Sequence, residues 1–370
     1  VPEDVLPRPP APLGLRTAEA ARLPRGSRRL LVGAYVLLVA AIVADLVTGP
    51  GTTVSPVLAA VPVLAGTGSR TARVPLLAGL LALASVGLLS LANPDVPTSV
   101  HVAALIAVAA VTMASTANVV LLLARDRELR EVRSVAEAAQ WALLRPVPAR
   151  VGPLRIAVRY AAAAAEARIG GDLYEVLDTP HGVRILLGDV QGKGLAAVET
   201  ASDVLGVFRE AARTEGDLAA VAERLDSQLA RGARGDRFVT AVLVGVPLGA
   251  KPAQVVNCGH PSPLLRRAGR VSEVDPPGFA PPLGLRDLTG EHYRVRSIQL
   301  YPGDLLLLYT DGVSEARDAN GRFYPLASRL AAFPAQEPGP VLDQLLTDVG
   351  GYVVEGLTDD AALLAVRCEA

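Results

Sequence analysis

Between residues 30 and 124 the chain is almost entirely Ala, Val, Leu and Gly, and this block restricts the available folds more than any other part of its 370 residues. Four apolar segments occupy it, at about 30–48, 53–66, 74–92 and 100–124. A helix needs roughly 20 apolar residues to span a bilayer. The first, third and fourth segments approach that length; the second is short and carries Pro56 and Pro62. The flanking charges alternate. Arg25, Arg28 and Arg29 precede the first segment, Arg70 and Arg73 lie between the second and third, and Arg125, Arg127 and Arg130 follow the fourth. Loops 49–52 and 93–99 carry no Lys or Arg. Basic residues collect on the cytoplasmic side of membrane proteins. The pattern therefore predicts an all-α bundle of about four transmembrane helices over 30–124, in a cell membrane, with both termini cytoplasmic. A soluble bundle would not require such alternation. Repeated apolar stretches also fit a cleaved leader poorly. Asp45 and His101 fall at span ends, where their side chains reach the interface rather than mark a transport path.

Residues 1–29, rich in Pro and Arg without an apolar period, are expected to form a disordered cytoplasmic tail. Formal net charge is −1, which offers nothing to a nucleic-acid partner. Two cysteines, Cys258 and Cys368, are too few for a disulfide framework. Residues 125–149 read as a connecting helix. Leu129, Val132, Ala136, Ala139 and Leu143 alternate at spacings of three and four, a short coiled-coil seam through which two copies could pair. Packing of the same helix on its own domain is the competing expectation.

From 150 to 370 the pattern changes to apolar runs of strand length mixed with helices. Strands are expected at Leu154–Tyr160, Leu173–Leu177, Val183–Gly188, Phe238–Pro247, Gln254–Asn257, Leu264–Arg267, Tyr293–Leu300, Asp304–Tyr309 and Ala361–Cys368. Helices are expected at Lys193–Ala212, Leu218–Arg231, Pro325–Phe333 and Pro340–Glu355. Hairpin-spaced strands with helices grouped in pairs indicate an α+β sandwich rather than a doubly wound sheet.

Acidic residues cluster where those strands end: Gly170-Gly171-Asp172, Gly188-Asp189-Val190, Thr310-Asp311-Gly312 and Asp359-Asp360. One Asp-Gly is usually a turn; four at strand ends are better explained as ligands. No His or Cys cluster accompanies them, so zinc is disfavoured. All-oxygen donors suit magnesium or manganese. Residues 188–194 lack P-loop spacing and have no Ser or Thr after Lys193, and no serine lies in a G-x-S-x-G elbow. Arg168 precedes Asp172 by four residues and could meet a phosphate.

The segments Ile169 to Tyr174, Gly188-Asp189-Val190-Gln191-Gly192-Lys193-Gly194, Phe238-Val239-Thr240, Asn257-Cys258-Gly259-His260-Pro261, Tyr309 to Ala316 and Asp359-Asp360 occur in an order that resembles the SpoIIE/RsbU-like branch of bacterial PPM (type 2C-like) serine/threonine protein phosphatases. The resemblance covers about 150 to 368. The stretch Ala139-Gln140 to Leu143-Leu144 looks like the helix preceding that domain. It implies a four-layer α-β-β-α sandwich holding two divalent cations, Mn2+ or Mg2+. By motif match Asp189 bridges both ions with the Val190 carbonyl assisting, Asp311 and Asp359 hold the second ion, and Asp172 binds directly or through water. The implied reaction is in-line attack of a metal-activated water on a phosphoserine or phosphothreonine. The implied partner is a phosphorylated regulator of the anti-sigma-factor-antagonist (STAS) type. Gln191, Glu175, Cys258 and Pro325 depart from the family pattern without removing a ligand. An inactive phosphatase-like sensor or interaction module at the membrane is the alternative reading; retention of all four aspartates counts against it.

Overall fold

The computed structural model describes residues 25–48, 52–161, 171–231, 237–249, 252–354 and 356–369, excepting the side chains of 25–28, 130–139 and 141. The chain divides into two compact units, Val1–Glu131 and Val132–Ala370.

The first unit contains α1 (Arg25–Thr48), a 3-10 turn (Ser55–Ala59) that runs into α2 (Ala60–Gly66), α3 (Arg73–Ala92) and the start of α4 (Thr98–Leu143). The helix begins at Arg25, so residues 25–29 belong to it and not to the expected tail; Arg is a good helix former and extends the apolar run backwards. Residues 1–24 lie outside the described residues. Three helices are long and apolar enough to cross a membrane: Arg29–Thr48, Arg73–Ala92 and Thr98–Leu129. The second apolar segment is helical over Ser55–Gly66 but shorter. At about 2.0 Å per 3-10 residue and 1.5 Å per α residue it rises only ~20 Å.

The helices pack in alternating directions. Asn93, after α3, donates through Nδ2 to Asp45 Oδ2 near the end of α1, at 2.5 Å. His101, in the first turns of α4, contacts the Asn93 carbonyl through Nε2 at 3.3 Å. Asp45 also accepts from Thr53 Oγ1 at 2.8 Å and Val54 N at 2.6 Å, and is fully buried. Farther along, Gly79 of α3 leaves room for Thr112 of α4; a Cβ there would collide with the threonine side chain. Small residues permit such close helix approach. The outer faces stay apolar, with Val47, Leu88, Leu91 and Met113 among the exposed side chains.

The second unit is a four-layer α-β-β-α sandwich. One sheet has the order β1-β2-β11-β10-β7-β8, built from β1 (Arg150–Val151), β2 (Leu154–Ala161), β7 (Leu264–Arg267), β8 (Arg270–Glu273), β10 (Leu305–Tyr309) and β11 (Ala361–Cys368). The other has the order β3-β4-β5-β6-β9, built from β3 (Asp172–Thr179), β4 (Gly182–Val190), β5 (Val239–Val246), β6 (Ala253–Cys258) and β9 (Arg296–Ile298). Every pairing between these strands is antiparallel. Helices α5 (Leu195–Thr214) and α6 (Leu218–Arg231) cover the second sheet. The short α7 (Arg286–Thr289) and α8 (Asp311–Ser314) sit in connections, and α9 (Leu326–Ala332) and α10 (Pro338–Tyr352) cover the first sheet.

Strand alternation divides the core. Leu306 and Leu308 of β10, with Ala362, Leu364 and Val366 of β11, join the core between the sheets. Leu305, Leu307 and Tyr309, with Ala361, Leu363 and Ala365, pack with α9 and α10. That is the period-two geometry of a strand buried on both faces. Several expected elements shift at their ends, two of them for a visible reason. The strand expected over Tyr293–Leu300 shrinks to β9, because β6 offers it only Ala253–Val255 as partners. Helix α5 starts at Leu195 rather than Lys193, because Gly192 and Gly194 adopt φ of 94° and 88° and hold a turn ahead of it.

Of the proposed seam, the α4 backbone is helical throughout, and the side chains of Val132, Ala136 and Ala139 lie outside the described residues. Leu143 packs against the core of the second unit.

Candidate metal centre

Two strands of one sheet bring the first carboxylates together. Asp172 opens β3, Asp189 is the penultimate residue of β4, and they are direct register partners. Asp189 is in turn opposite Thr240 of β5. Gly171 explains the double glycine before Asp172. A Cβ on Gly171 would collide with the Val190 carbonyl oxygen and lie 2.6 Å from Asp189 Oδ1. The Val190 carbonyl and the Asp189 carboxylate therefore converge on the same spot, and only glycine lets the backbone pass it. The Val190 amide donates to the Gly171 carbonyl at 3.1 Å, which closes this corner.

The other sheet supplies the remaining acids. Asp311 starts α8 directly after β10, and Asp359-Asp360 precede β11. A Cβ on Gly312 would collide with the Asp360 carbonyl, so the 359–360 backbone runs tightly over the Asp311-Gly312 turn. Thr310 links the sheets. Its Oγ1 donates to Asp172 Oδ2 at 2.9 Å and accepts from Ala362 N at 2.9 Å.

Electrostatics show the acids sharing one region. Burial, then the charge of Asp189, raises the Asp172 pKa well above the usual carboxylate range, against the Thr310 hydrogen bond. Burial, then Asp311 and Asp359, pushes Asp189 up to about 7, opposed by Lys193. Burial and Asp359 raise Asp311. A divalent cation among these carboxylates would relieve their mutual repulsion. Lys193 Nζ is the ammonium nearby, 2.5 Å from Asp359 Oδ1. Among the described residues no three His, Cys, Asp or Glu side chains close around one point as a formed metal cage would. The donor set is all oxygen and mutually repulsive, buried at Asp172 and half-buried at Asp189, Asp311 and Asp359, and fits hard divalent cations.

Several neighbours acquire partners that the sequence alone does not give. The Tyr160 hydroxyl meets Asp360 and accepts from Gln140 Nε2 at 3.3 Å; burial, then Asp360 and Asp172, raises its pKa. His260 spans the sandwich, with Nδ1 3.0 Å from Thr240 Oγ1 and Nε2 3.1 Å from the Tyr309 carbonyl. The carbonyl needs a donor, so Nε2 carries the proton and Nδ1 accepts from the threonine. Burial lowers the His260 pKa to about 4. His260 is thus a neutral strut between β5 and β10. Asn257 fixes it, accepting from His260 N at 2.9 Å and donating to its carbonyl at 2.7 Å. Glu175 of β3, one of the departures, is buried against Arg209 of α5; Arg209 also donates to the Leu143 carbonyl at 3.2 Å. Arg168 lies outside the described residues.

A family model described as Stage II sporulation protein E (SpoIIE) matches residues 179–369, more than half of the chain. The chain belongs to the SpoIIE family. The SpoIIE match contains Asp189, Val190, Asp311 and Asp359, and Asp172 lies just ahead of it. Among solved structures, the SiaA-PP2C domain of Pseudomonas aeruginosa is 20% identical with a TM-score of 0.56, over 66% of this chain and 98% of that one. The PP2C phosphatase domain of Bacillus subtilis SpoIIE, with a fragment of its regulatory domain, is 20% identical with a TM-score of 0.50, over 58% of this chain and 64% of that one. The RsbU and RsbW domains of a Mycobacterium tuberculosis protein are 28% identical with a TM-score of 0.48, over 59% of this chain and 60% of that one. The chain thus covers less than two thirds of the length of these last two. The fold of the second unit is that of PP2C phosphatase domains.

Proposed function

We propose that this SpoIIE-family chain is a membrane-anchored, metal-dependent phosphatase acting on phosphoserine or phosphothreonine in a regulatory protein of STAS type. One observation carries the reading. Asp172 and Asp189 are register partners beside the Val190 carbonyl, and Asp311 and Asp359 of the opposite sheet raise the Asp189 pKa. Asp189 would bridge two cations with the Val190 carbonyl assisting, Asp311 and Asp359 would hold the second, and Asp172 would bind directly or through water. When bound, a pair of Mn2+ or Mg2+ ions supplies an activated water and neutralises phosphoryl charge. The chain's own part is placement. Thr310 holds Asp172 in one orientation, Gly171 and Gly312 let the ligand-bearing segments close on each other, and the His260 strut fixes the spacing of the two sheets.

The anchor reading rests on helix length and charge. The arginine clusters at 25–29, 70–73 and 125–130 flank alternate connections, and the Asp45–Asn93 contact gathers the opposite helix ends. Four passes result if Ser55–Gly66 with its flanks crosses a thinned or protein-lined region, leaving both termini and the second unit in the cytoplasm.

The test is phosphate release from a phosphorylated STAS protein, with Mn2+ and with Mg2+. Turnover lost in Asp189→Asn supports the proposal. Absence of metal-dependent turnover by the unaltered chain, on this substrate and on a generic phosphate ester, would leave a partner-binding module instead.

A further inference from the structure

Lys193 is one of only two lysines among 36 basic residues, the other being Lys251. Its ammonium lies 2.5 Å from Asp359 Oδ1, against one of the proposed second-ion ligands. It stands between Gly192 and Gly194, both at positive φ, in the turn joining Asp189 to α5. Nothing lies within 4 Å of where a Cβ would project from either glycine, so this turn has room to move. An ammonium is a compact point charge, nearer in form to a bare cation than a guanidinium fork is.

We propose that Lys193 is a tethered competitor for the second-cation position: it holds Asp359 when metal is absent and is expelled when the cation enters. The inference rests on the metal-centre reading above. A divalent ion attracts Asp311 and Asp359 more strongly than one ammonium does, and repels that ammonium. Expulsion frees the 191–194 turn, so metal loading and the entry to α5 become linked. Until that point Lys193 lowers the apparent cation affinity by the strength of its pairing with Asp359.

The test uses the full chain in detergent micelles and needs no turnover. Mn2+ binding is measured from the electron paramagnetic resonance signal of the free ion, for the unaltered chain, Lys193→Gln, Lys193→Arg and Asp189→Asn. Lys193→Gln is expected to bind the weaker Mn2+ about fivefold more tightly, the factor matching an exposed pair worth ~1 kcal/mol. Lys193→Arg keeps the charge but not the compact shape, so it should tighten Mn2+ binding less than Lys193→Gln does. Equal or weaker Mn2+ binding by Lys193→Gln overturns the proposal while leaving the metal centre standing. Absence of binding in all four proteins removes the metal centre and the proposal together. Amine acetylation read by mass spectrometry gives an independent check, with Lys251 as the reference. Mn2+ should increase labelling at Lys193; labelling that falls or holds constant contradicts expulsion.

Discussion

Thr310 Oγ1 donates a 2.9 Å hydrogen bond to Asp172 Oδ2, across the space between the two sheets. Both residues are buried, and the same hydroxyl accepts from Ala362 N. One side chain therefore positions a proposed ligand and closes the end of β10 onto β11. Thr310→Val keeps the shape and removes both bonds. It should destabilise the second unit by about 1–3 kcal/mol, the cost of leaving buried polar groups unpaired. It should also weaken Mn2+ binding several-fold. Denaturant titration and a metal titration on the same sample check both.

Asp189→Asn should behave oppositely on stability. The Asp189 carboxylate is desolvated and repelled by Asp311 and Asp359. Neutralising it should raise the melting temperature of the metal-free protein while eliminating metal-dependent phosphate release. Added Mn2+ should stabilise the unaltered chain and leave the variant nearly unmoved. A variant less stable than the parent without metal would contradict this account.

The His260 strut predicts a pH dependence. Its folded pKa, about 4, lies below the ordinary 6.5. A depressed folded value means the unfolded chain binds the proton more readily. The stabilisation is complete above about pH 6.5 and is lost as pH falls toward about 4, by roughly 3 kcal/mol. His260→Gln should be less stable at pH 7 but should lack this part of the acid slope. Urea titrations of both proteins at pH 7.0 and 4.5 measure the difference.

Arg209 and Glu175 form a pair in which Glu175 is buried and Arg209 is partly exposed. Arg209→Met leaves a buried charge without its partner and should cost about 3 kcal/mol. Adding Glu175→Gln should restore a large part of that loss. A double-mutant cycle by chemical denaturation gives the coupling; additive effects would show that Arg209 acts mainly through the Leu143 carbonyl.

Within the first unit, Asp45 accepts from Thr53, Val54 N and Asn93. Asp45→Ala should lower the melting temperature of the full chain in detergent, and Asp45→Asn, which keeps an acceptor, should lower it less. Phosphate release below that temperature should be unchanged in both.

Local patterns in the sequence locate most of the architecture. The bounds of α6, β7 and β11 are read directly from their apolar runs and flanking turns, because each is a strong, self-contained pattern. Strand β8 and helices α7 and α8 escape such reading; each is four residues long, too short to show a period. The acidic residues stand out because glycine marks tight backbone passages, as Gly171 and Gly312 show. Their support does not. Thr310 meets Asp172 over 138 residues of chain and Lys193 meets Asp359 over 166, and no local spacing encodes either pairing. Thr310 could be found by parity alone, since it continues the Leu306 and Leu308 face that looks between the sheets.

The same parity limits how this centre can change. Asp189 is aligned with Asp172 on one side and Thr240 on the other, within strands eight or nine residues long. A single residue inserted between Gly182 and Gly188 would invert the phase of the rest of β4 and turn Asp189 away from Asp311. Two inserted residues would keep the phase but carry Asp189 past its partners. The surrounding loops can lengthen freely, whereas β4 admits only substitution. Its length works as a ruler for the carboxylates, so a chain descended from this one should keep the interval from Gly182 to Asp189 even where its side chains have all been replaced.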